Sequence, residues 1–561
     1  MIDNEFNKRR HASKGVKAFR KSALVGAIVA ATSMSAHGFQ FDTGNRDLSV
    51  RLDTNVKYTA AFRVKDQEDK LIADPNLDDG NRNFDPGLIS NRVDLFSEFD
   101  MDYKGTGVRV SAAAWYDDVY NRSNDNESPG TANSLSVSHD RFTDATRELH
   151  GKDAEIRDAF VYSTFNLTDT SWMAVRAGKH SVVYGESLFF GGNGVAAAQQ
   201  PIDAIRALSV PNSQFKEIAL PVNQFSTDIQ LTENLSMGGY YQFEWERTRI
   251  PSAGSYFSPA DLLDAGGESI IAPTPVGPMP LFLRGEDYEA KDSGQFGLKM
   301  NYWSPELQTD FGVYAARYHD KNFQVQTRLL NNPMDPATVP PLGEHMLLFP
   351  EDIEIYGFSV NTGVGDANVG FEASVRHNAP LVSLTVTDPT FAGAPNGNND
   401  SNPLYAIGKT AHAQVNFIHA MRGNKLWDSA ILLGELAWNR ALSVDKNPGA
   451  VDPNSTRDAT AMRVAFTPNF FRVADNVDLS LPMGISYGID GRSRAVGGFS
   501  QEKGGDYNIG VAFDYRKRLN VKLAYQGYYG AGAPVNISGI KTYRQTNADR
   551  DFISLNASYT F

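Results

Sequence analysis

From Leu48 to Arg63 apolar and polar side chains alternate. Leu48, Val50, Leu52, Val56, Tyr58 and Phe62 fall on one face, and Ser49, Arg51, Asp53, Asn55, Lys57 and Arg63 on the other. A period of two predicts a β-strand with one apolar and one polar face. Its length of about fifteen residues is informative. Globular strands average about five or six residues, whereas a tilted strand crossing a bilayer needs roughly nine to eleven.

The alternation recurs at 92–103, 107–117, 155–166, 172–183, 222–232, 234–247, 294–303, 307–318, 353–363, 367–378, 409–421, 428–440, 459–468, 477–488, 505–515, 519–529 and 551–561. That makes eighteen strands, or sixteen if two neighbours are miscounted. The connections alternate as well. Those near 104–106, 167–171, 233, 304–306, 364–366, 422–427, 469–476 and 516–518 are short. Those near 64–91, 118–154, 184–221, 248–293, 319–352, 379–408, 441–458, 489–504 and 530–550 are long and hold most of the Pro and Gly. Prolines there are expected to stop strands from extending. Short turns at one rim and long loops at the other belong to an outer-membrane barrel. The predicted fold is therefore all-β: one antiparallel up-and-down transmembrane barrel over residues 39–561, wide enough for an aqueous lumen.

Both ends of the chain fit that reading. Seven basic residues between Lys8 and Lys21 precede an uncharged run of small and apolar residues, Ser22 to Ala36. The run is too short to span a bilayer, and Ala36 and Gly38 are the small residues a signal peptidase reads. A signal peptide of 1–38 is expected, cleaved after Gly38, with delivery to the Gram-negative outer membrane. The last strand carries Ile553, Leu555, Ala557, Tyr559 and Phe561 at steps of two. Tyr559 and Phe561 resemble the insertion signal of outer-membrane barrels, so the barrel-assembly machinery, outer-membrane lipid and lipopolysaccharide are expected partners.

Composition narrows the chemistry. Hydrophobic residues are 41% of 561, below the usual globular range of about 45–50%, yet Phe numbers 33 and Tyr 23. This suits an apolar outer band around a polar interior. The absence of Cys excludes disulfides, thiolate metal sites and a Cys nucleophile. The net charge is -13, and losing the leader, which carries a net +5, leaves -18. So acidic a chain is a poor match for nucleic acid. The pattern contains no H-E-x-x-H, no paired metal spacing and nothing that asks for a cofactor.

Several segments together resemble the proteobacterial outer-membrane family catalogued as domain of unknown function 1302. They are Leu52-Asp53-Thr54, Phe62-Arg63-Val64, Gly80-Asn81-Arg82-Asn83-Phe84, Gly87 to Asn91, Gly185-Glu186-Ser187-Leu188-Phe189-Phe190, Pro201-Ile202-Asp203, Lys216-Glu217, Leu220 to Asn223, Tyr356 to Ser359, Gly434-Glu435-Leu436-Ala437-Trp438 and Asp549 to Phe552. The one departure is Tyr184, where the family pattern has Trp. The resemblance implies an outer-membrane barrel. It also implies a link to a periplasmic protein of lipoprotein-sorting-like fold and to resistance-nodulation-division-type (RND-type) transporters that handle lipids or other hydrophobic compounds.

The segment 184–221 is the main candidate site. It carries Glu186, Asp203, Arg206, Lys216 and Glu217 beside small apolar residues. Such a loop could fold inward and set selectivity as charged constrictions do, or it could pack on the rim. Arg51 and Asp53 on the inward face of the first strand could add to a charge ladder, or simply pair across strands. The rings of Tyr240, Tyr241, Phe243 and Trp245 could meet an apolar substrate or form the interfacial girdle. The leading functional expectation is thus a channel for a hydrophobic or amphipathic small molecule, without catalysis. Two others stand beside it: a docking barrel of an export assembly, and a hydrolase using Ser486 and His180. Gly484-Ile485-Ser486-Tyr487-Gly488 matches G-x-S-x-G, but inside an alternating strand rather than a strand-to-helix elbow. Asp74, Asn76, Asp78 and Gly80 loosely resemble a calcium loop, with the glycine one place late and no closing Glu; a solvated acidic turn is expected.

Overall fold

The structure, a computed structural model, describes residues 39–561 apart from 212, 275, 276 and 394; the predicted signal peptide lies outside the described residues. Eighteen strands form the wall. They are β1 (Leu48–Arg63), β2 (Gly87–Tyr103), β3 (Thr106–Asp117), β4 (Lys152–Asn166), β5 (Trp172–His180), β6 (Val222–Gln230), β7 (Leu235–Gln242), β8 (Gln295–Ser304) and β9 (Thr309–Tyr318). The second half is β10 (Ile353–Val364), β11 (Ala367–Pro380), β12 (Ile407–Arg422), β13 (Ser429–Lys446), β14 (Asp458–Ala474), β15 (Val477–Ser480 and Met483–Gly491), β16 (Gly505–Tyr515), β17 (Leu519–Tyr529) and β18 (Phe552–Thr560). Each pairs antiparallel with its chain neighbours, and β18 returns to β1 from Asn55↔Thr560 to Arg63↔Phe552. Closure leaves no unpaired wall edge, the condition a lipid-embedded sheet must meet.

The period-two pattern sorts the faces as expected. Tyr58, Phe62, Val93, Tyr116, Leu298 and Leu555 are exposed on the outer surface. Their neighbours Lys57, Arg63, Arg92, Asp94 and Asn556 point inward and are buried. A water-filled lumen would leave such side chains wet, so their burial means that other parts of the chain occupy the interior.

Three departures from the pattern have local causes. β15 is interrupted at Leu481-Pro482, because proline has no N–H to give the ladder. β5 and β7 end at His180 and Gln242, short of the expected 183 and 247, where the chain turns off the wall. The proline-rich external loops also contain strands. Ser269–Thr274, Gly277–Arg284, Gln324–Leu329, Gly343–Leu348 and Val386–Asp388 build a separate five-stranded sheet above the barrel. Pro278 and Pro280 fit there because their strand pairs on its second side only from Phe282 onward, and the register slips between Pro280 and Phe282.

Apolar clusters fasten this outer layer. Trp245 packs with Leu347 and Phe349. Phe84, Tyr120, Phe142, Tyr256 and Phe257 join three external loops to Phe552 of β18. His150 lies beside this second cluster, its ring 4.8 Å from Tyr120, and its Nε2 accepts the Ser252 N–H at 3.2 Å. Burial, reinforced by Arg92, pushes the imidazole down to about 3. The unfolded ring takes up its proton near pH 6.5, so this contribution to stability is complete above that pH and is lost as pH falls below it. Between pH 7 and 5 the loss is about 2 kcal/mol. A His150→Asn variant is expected to show correspondingly less acid destabilisation of the loop layer, measured by hydrogen exchange of the 248–260 amides. Equal acid sensitivity in both proteins would contradict this assignment.

Candidate functional site

The connection from β5 to β6 does not stay at the rim. It enters the lumen and touches the wall in two places. The first lobe, 184–200, crosses to β10–β14. Glu372 on β11 accepts the backbone N–H groups of Glu186 at 2.7 Å and Val195 at 2.6 Å. Glu435 on β13 accepts those of Leu188 at 3.3 Å, Phe189, and Phe190 at 2.9 Å, with the Ser187 hydroxyl at 3.2 Å. Consecutive N–H groups turned toward one carboxylate form an anion nest, and charge-assisted bonds of this kind are the stronger ones. Two glycines make the approach possible. Gly185 has φ +94°, and a Cβ at either Gly185 or Gly194 would collide with the Glu372 carboxylate.

The lobe is pinned at further points. Asn193 Oδ1 accepts from Asn439 Nδ2 at 3.1 Å and lies 3.1 Å from His412 Nδ1. Arg376 donates to the Gly192 and Gly194 carbonyls, and Asn416 to that of Glu186. The Glu186 carboxylate accepts from Asn361 at 2.7 Å. Tyr184 packs against Tyr240 and Tyr314, with Lys299 above its ring.

The second lobe, 201–221, lies on the opposite wall, β1–β4. Asp203 caps the short helix Ala204–Ser209 by accepting the Arg206 N–H at 2.8 Å. Arg206 reaches Asp94 at 3.1 Å and sits over Trp115. Glu217 pairs with Lys57 at 2.9 Å, and Lys216 with Glu98. Arg157 donates to the carbonyls of Glu217 and Ala219. Asp203, Arg206 and Glu217 are all less than 7% exposed.

The expected site residues therefore have distinct places. Glu186, Asp203, Arg206, Lys216 and Glu217 are brought into the lumen, where most of their charge is spent on wall contacts instead of lining an open ring. Arg51 and Asp53 stand apart near the short-turn end of β1, 2.8 Å from each other and partly exposed. Tyr240 lies under the first lobe and donates to the Ala198 carbonyl, Tyr241 and Phe243 face outward, and Trp245 belongs to the external layer. The rings of Tyr559 and Phe561 lie 4.8 Å apart at the foot of the closing seam.

The Ser486–His180 pairing does not form. Ser486 on β15 bonds to Asp506 of β16, and His180 on β5 lies 2.7 Å from the Ser226 hydroxyl under the lumen loop. The two sites occupy strands far apart around the wall. The main wall anchors, Glu372 and Glu435, were not among the candidate site residues, although Glu435 lies in one of the segments that carry the family resemblance. A carboxylate inside a β-strand reads as one more lumen charge, and its partners are backbone groups more than 170 residues away.

Fold and site define a transmembrane β-barrel of the outer-membrane type, its lumen crossed by one of its own loops. The family model described as protein of unknown function, DUF1302, matches residues 19–561, and the chain belongs to that family. No curated protein sequence matches it. Similar solved structures include the outer membrane channel DcaP of Acinetobacter baumannii (9% identity over 93% of this chain and 99% of that one, TM-score 0.36). OccAB1 of Acinetobacter baumannii has 9% identity over 94% and 99%, with TM-score 0.42. OpdK of Pseudomonas aeruginosa, solved with vanillate, has 11% identity over 91% and 98%, with TM-score 0.38.

Replacing Glu435 by Ala strands three loop N–H groups. Each buried donor left without a partner costs about 1–3 kcal/mol, so the first lobe is expected to detach while the wall persists. In planar bilayers this should appear as a severalfold rise in conductance and in open-state noise. Unchanged conductance in a folded Glu435→Ala barrel would show that the lobe is held in some other way.

Proposed function

We propose that the protein is an outer-membrane channel through which a small hydrophobic or amphipathic molecule diffuses past the internal loop. The observation that carries this reading is how the loop divides its side chains. Its charges are turned to the wall. Leu208 lies two residues from the wall-facing Arg206 and Phe215 two residues from Glu217, roughly 200° around a helix. They are 45% and 55% exposed, and Leu188 on the first lobe is 37% exposed. Apolar side chains on a segment enclosed by a barrel have no lipid to meet, and an apolar solute would gain from covering them.

The remaining wall is polar. Arg463 on β14 pairs with Asp506 on β16 at 3.1 Å, and Gln526 of β17 reaches the same carboxylate. A lumen with an apolar loop and a polar wall suits a solute with one face of each kind. Hand-over to a periplasmic lipoprotein-sorting-like carrier and an RND-type transporter, implied by the family resemblance, completes the proposal; co-purification from membranes tests it.

Liposome flux gives the direct test. Leu208→Ser with Phe215→Ser is expected to slow entry of an alkyl- or aryl-tailed carboxylate severalfold while leaving a sugar of similar size unaffected. Equal changes for both solutes, or none for either, would contradict an apolar path.

A further inference from the structure

The acidic segment expected to be solvated is instead buried. Asp78 and Asp79, from the β1–β2 loop, meet Asp261 from the β7–β8 loop, and the three are 0%, 9% and 1% exposed. Each offers an oxygen, and these oxygens lie within 4.8 Å of one another. That is about the span between ligands on opposite sides of a calcium ion, whose oxygen distances are roughly 2.3–2.6 Å.

The hydrogen bonds around the cluster are incomplete. Asp79 accepts from Asn126 Nδ2 at 3.2 Å and the Asn133 N–H at 3.3 Å. Asp261 Oδ2 accepts the Asp79 N–H at 3.1 Å, and Asp78 Oδ2 takes Arg82 Nε at 2.5 Å. The second oxygens, Oδ1 of Asp78 and Oδ1 of Asp261, have no hydrogen-bond partner although both residues are almost wholly buried. A buried carboxylate oxygen without a partner is costly, and two members of the cluster each carry one. Arg82 is the cation in contact among the described residues, and Arg550 lies nearby, donating to the Tyr256 and Ser258 carbonyls. Desolvation opposed by Arg82 leaves Asp78 raised to about 6, and desolvation with repulsion from Asp78 raises Asp79 to about 7. Of the earlier motif only Asp78 belongs to the cluster: Asp74 accepts the Asn76 N–H, and Asn76 Oδ1 is taken by Asn133 and the Ile271 N–H.

We propose that Asp78, Asp79 and Asp261 bind one calcium-sized divalent cation, which staples the β1–β2 loop to the β7–β8 loop over the external mouth. Oxygen-only donors suit a hard cation, and a buried site that leaves little room for retained water favours calcium over magnesium. The packing around the cluster is close: a Cβ at Gly80 would stand 2.7 Å from the Ser255 carbonyl and 2.9 Å from that of Ser258.

The test is calorimetric titration of the full-length protein, in detergent free of lipopolysaccharide, with calcium chloride and then with magnesium chloride. One calcium per chain is expected, with a dissociation constant of roughly 10–1,000 µM. Asp261→Asn and Asp78→Asn, each checked for heat-modifiable migration as a folded barrel, should weaken binding at least tenfold. Trypsin should cut the 64–86 segment faster in a chelator than in calcium. A wild-type protein that takes up no calcium at millimolar concentration overturns the proposal, and so do folded variants that bind as the wild type does. Where a variant fails to fold, the wild-type stoichiometry and the chelator effect on proteolysis decide alone.

Discussion

Two wall carboxylates, Glu372 and Glu435, with no cation in direct contact among the described residues, organise the interior. Each projects from a lipid-embedded strand into the lumen, and each is satisfied largely by backbone N–H groups of the β5–β6 loop. The dependence is mutual. The loop has no regular partner strand to take its N–H groups, and the carboxylates lie too deep beneath it to be hydrated. Glycine at 185 and 194 follows from the same contact, since the backbone must come within hydrogen-bond distance of Glu372 on both sides. The loop's position is thus built into the wall.

The second lobe is held by ion pairs rather than by a nest. Arg206–Asp94 and Lys57–Glu217 are buried pairs, reinforced by Arg92, Arg157 and Trp115. Buried pairs of this kind contribute more to geometric definition than to net stability, because desolvation offsets much of the attraction. Their effect on the proposed passage of solute is indirect. By drawing the loop's charges against the wall they leave apolar side chains facing the passage, the reverse of a charged constriction.

Much of the architecture was legible in the chain because it is local. Alternation of apolar and polar residues over ten or more positions marks a membrane strand whatever its neighbours are, so eighteen strands and their short and long connections could be read directly. The destinations of the loops are not local. Nothing in the spacing of Glu186, Asp203 or Arg206 tells whether their charges line a pore or dock on a wall, since that depends on Asn361, Arg157 and Asp94 in other strands. Prolines at 278 and 280 argued against strands, yet strands form where only one ladder is required. The acidic turn at 74–80 looked solvated because its burial is imposed by the 252–261 segment.

The central claim, that the β5–β6 loop lies inside the barrel against β10–β14, is most directly tested by a thiol cross-link. The chain has no cysteine, so an introduced pair is unambiguous. Asn193 and Asn439 bond side chain to side chain at 3.1 Å, the first on the loop and the second on the lumen face of β13. Asn193→Cys with Asn439→Cys is expected to be bridged in intact outer membranes by a short bifunctional thiol reagent, which spans more than the roughly 4 Å Cβ separation of a direct disulfide, changing gel mobility while the barrel remains folded. Failure to cross-link in a folded barrel would place the loop elsewhere and contradict the account.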